Sequence, residues 1–253
     1  MKKIFLFVAA ATVLLSCKKE NDKAQTFKGA TVQLHEGKAW SSITVDKGGK
    51  PQQLAITITD EALNSLPIGG EPGHSHENNL VVPLHPKATE GTPFKYIGLD
   101  WNPAGHEPEN VYTLPHFDFH FYMVTPAEVA AAVDMNKMMV HPAADYIPQN
   151  YVAGPPVPQM GLHWVDRTSP ELDPNNPQTF TQTFILGSYD GKVTFYEPMI
   201  TLDFLKNNNN FQRAIPQPSK VQQTGYYPTK MRIVKNGDET SVVLEDFVLK
   251  QAS

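Results

Sequence analysis

The sequence predicts a mainly β fold, an antiparallel sandwich or barrel-like sheet with a few short helices, α+β at most. Two observations carry this. Turn signals recur between apolar runs at Glu36-Gly37, Lys47-Gly48-Gly49-Lys50, Asp190-Gly191 and Asn236-Gly237. Asp-Gly and Asn-Gly favour tight hairpins, because both central residues of a type I′ turn take positive φ. The flanking segments then alternate apolar and polar residues, as in Leu54-Ala55-Ile56-Thr57-Ile58-Thr59, which is the period of a half-buried strand.

Taken in order, Glu36-Gly37 is expected to join strands over Thr31–His35 and Lys38–Val45. Asp190-Gly191 joins Phe180–Tyr189 to Lys192–Tyr196, and Asn236-Gly237 joins Lys230–Lys235 to Ser241–Leu249. The clearest helix starts at Thr125. Thr125-Pro126-Ala127-Glu128 is a capping box with Pro in the first helical position, and the Ala-rich stretch after it predicts a helix to Lys137. Shorter helical turns are expected at Asp60–Leu66 and Thr201–Lys206. Met138 to Gln159, rich in Pro and Ala, reads as a long ordered surface loop, and Asn207 to Asn210 as a loop tip. No internal repeat is present.

Residues 1–16 have the zones of an export signal: Lys2 and Lys3, an apolar run from Ile4 to Leu15, then Leu14-Leu15-Ser16-Cys17. A run of twelve residues is too short for a permanent bilayer crossing, which takes about 20, and fits a signal-peptide core. Leu-Leu-Ser-Cys resembles the lipobox of bacterial lipoproteins. That predicts lipidation of Cys17, a polar tether over 17–26, and a single β-rich domain over 27–253. The expected location is the bacterial cell envelope, lipid-anchored to the membrane, periplasmic or surface-exposed. Multiple acyl chains make such an anchor stable. Cys17 is the sole cysteine, so the reading leaves no thiol for catalysis or metal ligation and no internal disulfide. Without Lys2 and Lys3 the chain has 19 basic and 26 acidic side chains, a net charge of −7. With no basic stripe, nucleic acid is not an expected partner.

The most informative segment is Leu114-Pro115-His116-Phe117-Asp118-Phe119-His120-Phe121-Tyr122. On a strand, His116, Asp118, His120 and Tyr122 share one face and the three Phe the other. Imidazole and carboxylate are common ligands of zinc, iron and manganese. Residues two apart on a strand lie about 6.6 Å apart, so Asp118 can meet either His at one ion. His116 and His120, about 13 Å apart, meet only if the strand bends. On a helix, His116 and His120 would share a face, but the alternating Phe favour a strand. Further candidate ligands are His106, His163 and Glu197, with Glu197 or Asp118 as candidate catalytic base. His74 and His76 form a weaker pair in a Gly/Pro loop. Nucleophile elbows and phosphate-cradling glycine loops are absent, so neither covalent acyl transfer nor a nucleotide cofactor is expected.

Gly98-Leu99-Asp100-Trp101-Asn102-Pro103, Gly105-His106-Glu107-Pro108, Pro115–Tyr122, Gly161-Leu162-His163-Trp164 and Tyr196-Glu197-Pro198-Met199 together resemble an uncharacterised family of secreted or lipid-anchored bacterial proteins. The resemblance spans most of 27–250 and implies one exported domain, without an activity. A remoter likeness is to metal-binding cupin barrels, where His-x-His, Glu and a later His surround an ion. Here the order departs, and the likeness is one of chemistry only. The expected function is thus a divalent-metal site of His, Asp and Glu, used for hydrolysis or related Lewis-acid chemistry. The alternative is a non-catalytic envelope module, binding a small-molecule ligand or its own copies, whose His/Asp cluster is a structural hydrogen-bond network.

Overall fold

The structure, a computed structural model, describes residues 23–71, 73 and 79–253. The expected export signal, Cys17, His74 and His76 lie outside the described residues.

Two large antiparallel sheets dominate. The first contains β1 (Gln25–Leu34), β2 (Gly37–Val45), β3 (Pro51–Thr59), β11 (Gln212–Ala214), β13 (Lys230–Asn236) and β14 (Glu239–Glu245), in the order β1-β2-β3-β14-β13-β11. The second contains β4 (Asn79–Pro83), β5 (Tyr96–Asn102), β6 (His116–Tyr122), β7 (Tyr151–Val157), β8 (Gly161–Asp166), β9 (Gln182–Tyr189) and β10 (Lys192–Thr201), in the order β4-β5-β6-β10-β9-β8-β7. A small ribbon pairs β12 (Gly225–Tyr227) with β15 (Val248–Lys250). The helices are short: α1 (Asp60–Ser65), α2 (Pro86–Gly91), α3 (Pro126–Ala130), α4 (Met135–Met138) and α5 (Leu202–Asn207). Among the described residues no helix is long and apolar enough to cross a membrane.

The sheets share one core. Ile43, Leu54, Ile56 and Ile58 of the first pack in one cluster with Leu99, Trp101, Phe117, Phe119 and Phe121 of the second. Each large apolar side chain fully buried this way contributes about 1.5–3 kcal/mol. The arrangement is a sandwich, and the sheets do not close into a barrel.

The opposite face of the second sheet is also buried. Tyr96, Tyr122, Met160 and Phe195 form one apolar cluster there, and Tyr112, Phe180, Ile185 and Met199 another. All seven residues of β6 are buried. The polar face of that strand is therefore not a wet surface. It is an interior between the sheet and the segments that cross it.

Several boundaries differ from the sequence reading, each for a local reason. The helix from Thr125 ends at Ala130, although its capping box forms with Glu128 as expected. The Ala132 carbonyl accepts instead from the Gln159 amide at 2.9 Å. Asp134 then caps a new helix, accepting from the Asn136 amide at 2.9 Å. Residues 138–159 are not a plain loop. They contain β7, whose Pro155 and Pro156 are tolerated because it is the sheet's edge. The first hairpin turns on His35-Glu36, with Leu34 paired to Gly37 and His35 at φ 48°. Gly37 serves a close approach instead, since a Cβ there would meet Thr59 and Ala62. The last hairpin turns on Gly237-Asp238, with Asn236 paired to Glu239. The expected strand Ser241–Leu249 breaks at Asp246, where φ is 57°. Asp190-Gly191 takes positive φ at both residues as expected.

Candidate metal centre

Four strands of the second sheet and one turn bring the polar residues together. On β6, His116, Asp118 and His120 project away from the Phe core. On β5, Ile97, Leu99 and Trp101 join that core, so Asp100 and Asn102 fall on the outer face by strand alternation. The register pairs Asp100 with Asp118 and Asn102 with His116. On β10, Phe195 pairs with Tyr122 and Met199 with Asp118, which brackets Glu197 beside His120. Across β9, His163 of β8 pairs with Gly187. His106 arrives from the turn after β5, where Gly105 (φ 73°) packs against Tyr112 and Thr113 too closely for a Cβ.

The residues sort into two clusters. In the first, Asp118 Oδ2 lies 3.3 Å from His106 Nε2, and Asp118 Oδ1 lies 3.1 Å from His116 Nε2. In the second, Glu197 Oε1 lies 3.5 Å from His120 Nε2, and Glu197 Oε2 lies 3.8 Å from His163 Nε2. Within each trio the ligand-type atoms are all within 4.8 Å of one another, and all six residues are buried. His116 and His120 thus do not share a site, as expected for an unbent strand. They head separate trios.

The imidazoles are oriented from behind. His106 Nδ1 lies 2.6 Å from the Glu107 carbonyl and His116 Nδ1 2.7 Å from the Leu114 carbonyl. A carbonyl only accepts, so both Nδ1 atoms carry hydrogen. Nε2 then faces the carboxylate, with a lone pair when the ring is neutral. His120 Nδ1 lies 2.8 Å from Asp100 Oδ2. Asn102 donates to Asp118 Oδ2 at 2.8 Å. Such outer partners fix the tautomer and orientation of metal-binding histidines.

Lone pair facing carboxylate is repulsive unless a proton or a cation sits between. His116 Nε2, Asp118 Oδ1, His120 Nε2 and Glu197 Oε2 make no hydrogen bond of ordinary alignment. They converge on common points rather than on each other. With metal–ligand bonds of about 2.1 Å, two ligand atoms of a tetrahedral ion lie about 3.4 Å apart, which is the scale of the four separations above. These buried His/Asp/Glu groups could therefore hold a metal ion.

Electrostatics separates the two carboxylates named as candidate bases. Burial alone would raise Asp118, but the imidazoles of His116 and His106 outweigh it and hold the carboxyl well below its ordinary range. For Glu197 burial dominates, helped by Asp118 and Asp100 and only partly offset by His120 and His106, and its carboxyl is raised. Burial would lower His120 and His106, yet neighbouring carboxylates lift both, chiefly Glu197 and Asp100 for His120 and Asp118 for His106. Of the two carboxylates, Glu197 is the stronger proton acceptor.

Phe195 wedges the second cluster. Its ring stands edge-on to His120 at 4.8 Å and to His163 at 5.4 Å. It fits because residue 187 is Gly: a Cβ there would run into the Phe195 ring. Tyr122 stacks on His120 at 5.3 Å, and Tyr96 on Tyr122 at 4.8 Å.

All six sequence-named candidates, His106, His116, Asp118, His120, His163 and Glu197, fall in this centre. Asp100, Asn102 and Tyr112 were not among them. The signal for the first two was present in Ile97–Asn102, where polar residues alternate with Leu99 and Trp101 as they do in β6.

Residues 46–101 match a family model described as TTHB210-like, hypothetical protein TTHB210. The match covers less than a quarter of the chain, from the turn before β3 through most of β5, and takes in Asp100 but neither trio. It agrees with an uncharacterised family and supports no cupin relationship. No curated protein matches the chain, and no solved structure does.

Proposed function

We propose that this protein is a cell-envelope lipoprotein whose β-sandwich carries a divalent-metal centre used for Lewis-acid chemistry, with hydrolysis as the leading reaction class. The observation that carries the metal reading is the pair of buried trios, each with two imidazole nitrogens and one carboxylate. Three of the four histidines are tethered through Nδ1. Two His and one carboxylate leave coordination positions open for water and substrate, as in catalytic sites of zinc and iron. A cation there would polarise a carbonyl and acidify bound water. Asp118 is the better permanent ligand, being held ionised. Glu197 is the better partner for a proton.

Nitrogen-rich trios favour zinc, iron or manganese over magnesium or calcium, which prefer all-oxygen shells. The envelope assignment rests on Lys2-Lys3, the apolar run and Leu14-Leu15-Ser16-Cys17.

The test is metal content. Full-length protein, stripped with a chelator and dialysed against zinc, manganese or iron(II), is expected to retain one to two ions per chain and to melt at a higher temperature than the stripped form. Retention of none, with unchanged melting, overturns the metal reading. It would favour the second reading, a non-catalytic module, whose specific support is the burial of His116, Asp118 and His120 within short contacts to one another's neighbours.

A further inference from the structure

A cavity of about 80 Å³ opens against both trios. His106, His163 and Glu197 line it, so it touches the first cluster through one residue and the second through two. Most of the remaining wall is aliphatic, from Pro155 and Val157 of β7, Val165 of β8, Leu172, Ile185 of β9 and Met199 of β10. No Lys or Arg is among its lining residues.

Tyr112 lines the same cavity, its ring edge-on to His106 with centroids 5.9 Å apart. Tyr112 is 2% exposed, and its Oη has no hydrogen-bond partner. Native proteins rarely leave a buried hydroxyl unsatisfied, so a position like this calls for an explanation. A ligand oxygen in the cavity would supply one. No Lys or Arg in the wall would neutralise a phosphate, and in the metal-free protein the nearby carboxylates would repel one. A pocket that is mainly apolar with a few convergent polar groups suits a small ligand with an apolar body and one polar head.

We propose that this cavity binds a short aliphatic carbonyl compound, an amide or ester, whose carbonyl oxygen accepts from Tyr112 Oη while its head faces the His106, His163 and Glu197 end and its alkyl part lies on the Val157, Leu172 and Ile185 wall. The proposal deepens the metal-centre reading by naming the ligand class. Tyr112 is the residue that sets specificity for the carbonyl.

The experiment titrates full-length protein with hexanamide by calorimetry, in chelator-stripped and zinc-dialysed forms, with inorganic phosphate as the contrasting probe. In the stripped form hexanamide is expected to bind and phosphate not to. Tyr112→Phe, which removes one oxygen, should weaken hexanamide about tenfold and leave the melting temperature and metal content unchanged. Leu172→Trp, which fills the cavity at a half-buried position, should abolish hexanamide binding with metal content retained. If the zinc form holds its ion but ignores hexanamide, or Tyr112→Phe binds it equally well, this proposal fails while the metal reading stands. If no ion is retained yet hexanamide binds in a Tyr112-dependent way, the metal reading fails and the cavity assignment stands.

Discussion

His120 is held from behind by Asp100: the Nδ1 and Oδ2 atoms lie 2.8 Å apart, while Nε2 on the far side of the ring faces Glu197. In the proposed metal site, whose candidate ligands stand on β6, β8 and β10, this gives Asp100 on β5 a positioning role. Asp100→Asn keeps an acceptor of the same shape but removes its charge. Metal affinity of the second trio is expected to fall about 10–100-fold, measured by competition with a coloured chelator, while the first trio keeps its ion.

The two trios have separate histidines, so their losses should be separable. His116→Ala is expected to remove the ion of the first cluster alone and His163→Ala that of the second, each lowering the ion count by one in elemental analysis. If each variant instead empties both sites, the centre is one cooperative unit and not two.

Asp118 is the most heavily engaged side chain of the centre, facing His106 and His116 and accepting from Asn102. Replacing it with Ala strands those groups in the interior. Breaking a buried charge pair from one side costs about 3–5 kcal/mol, so Asp118→Ala should show a large drop in denaturation midpoint in metal-free buffer. An effect below about 1 kcal/mol would mean that the histidines there are neutral and content without it.

Gly187 makes room for the Phe195 ring between His120 and His163. Gly187→Ala forces that ring to move. Overpacking of this kind costs about 1–3 kcal/mol, and displacement of Phe195 should also weaken metal at the second trio more than at the first. Thermal melts and ion counts on the same sample would read both effects.

Glu245 provides a pH test away from the centre. Burial would raise its carboxyl, but hydrogen bonds from Lys230, Arg232 and Gln53 outweigh that and hold it below 4.5. A folded-state pKa below the unfolded one gives stability that is present above 4.5 and lost as pH falls through the folded value. Glu245→Gln should therefore be less stable than wild type at pH 7, and the gap should close in acid. A gap of constant size from pH 7 to pH 3 would rule out the linkage.

The sequence by itself determined the strand character of the chain and the shared face of His116, Asp118 and His120. Period-two alternation in His116–Tyr122 placed Asp118 between two histidines on one face, because side chains of a strand alternate whatever the strand packs against. Asp190-Gly191 fixed a hairpin for the equally local reason that both residues tolerate positive φ. Other local signals were overridden: the helix from Thr125 stops at Ala130, and the Ala132 carbonyl just beyond it accepts from the distant Gln159 amide.

What only the tertiary structure decided is the partition into two trios. His106 joins His116, and His163 joins Glu197, through the order β5-β6-β10-β9-β8, which is set by long-range pairing and leaves no periodic trace in the chain. Burial of the polar face was likewise undecidable from β6 alone. Whether His116 and Asp118 meet water or a covering wall depends on residues such as Phe180, far along the chain, and it is that wall that turns a strand of histidines into an interior site.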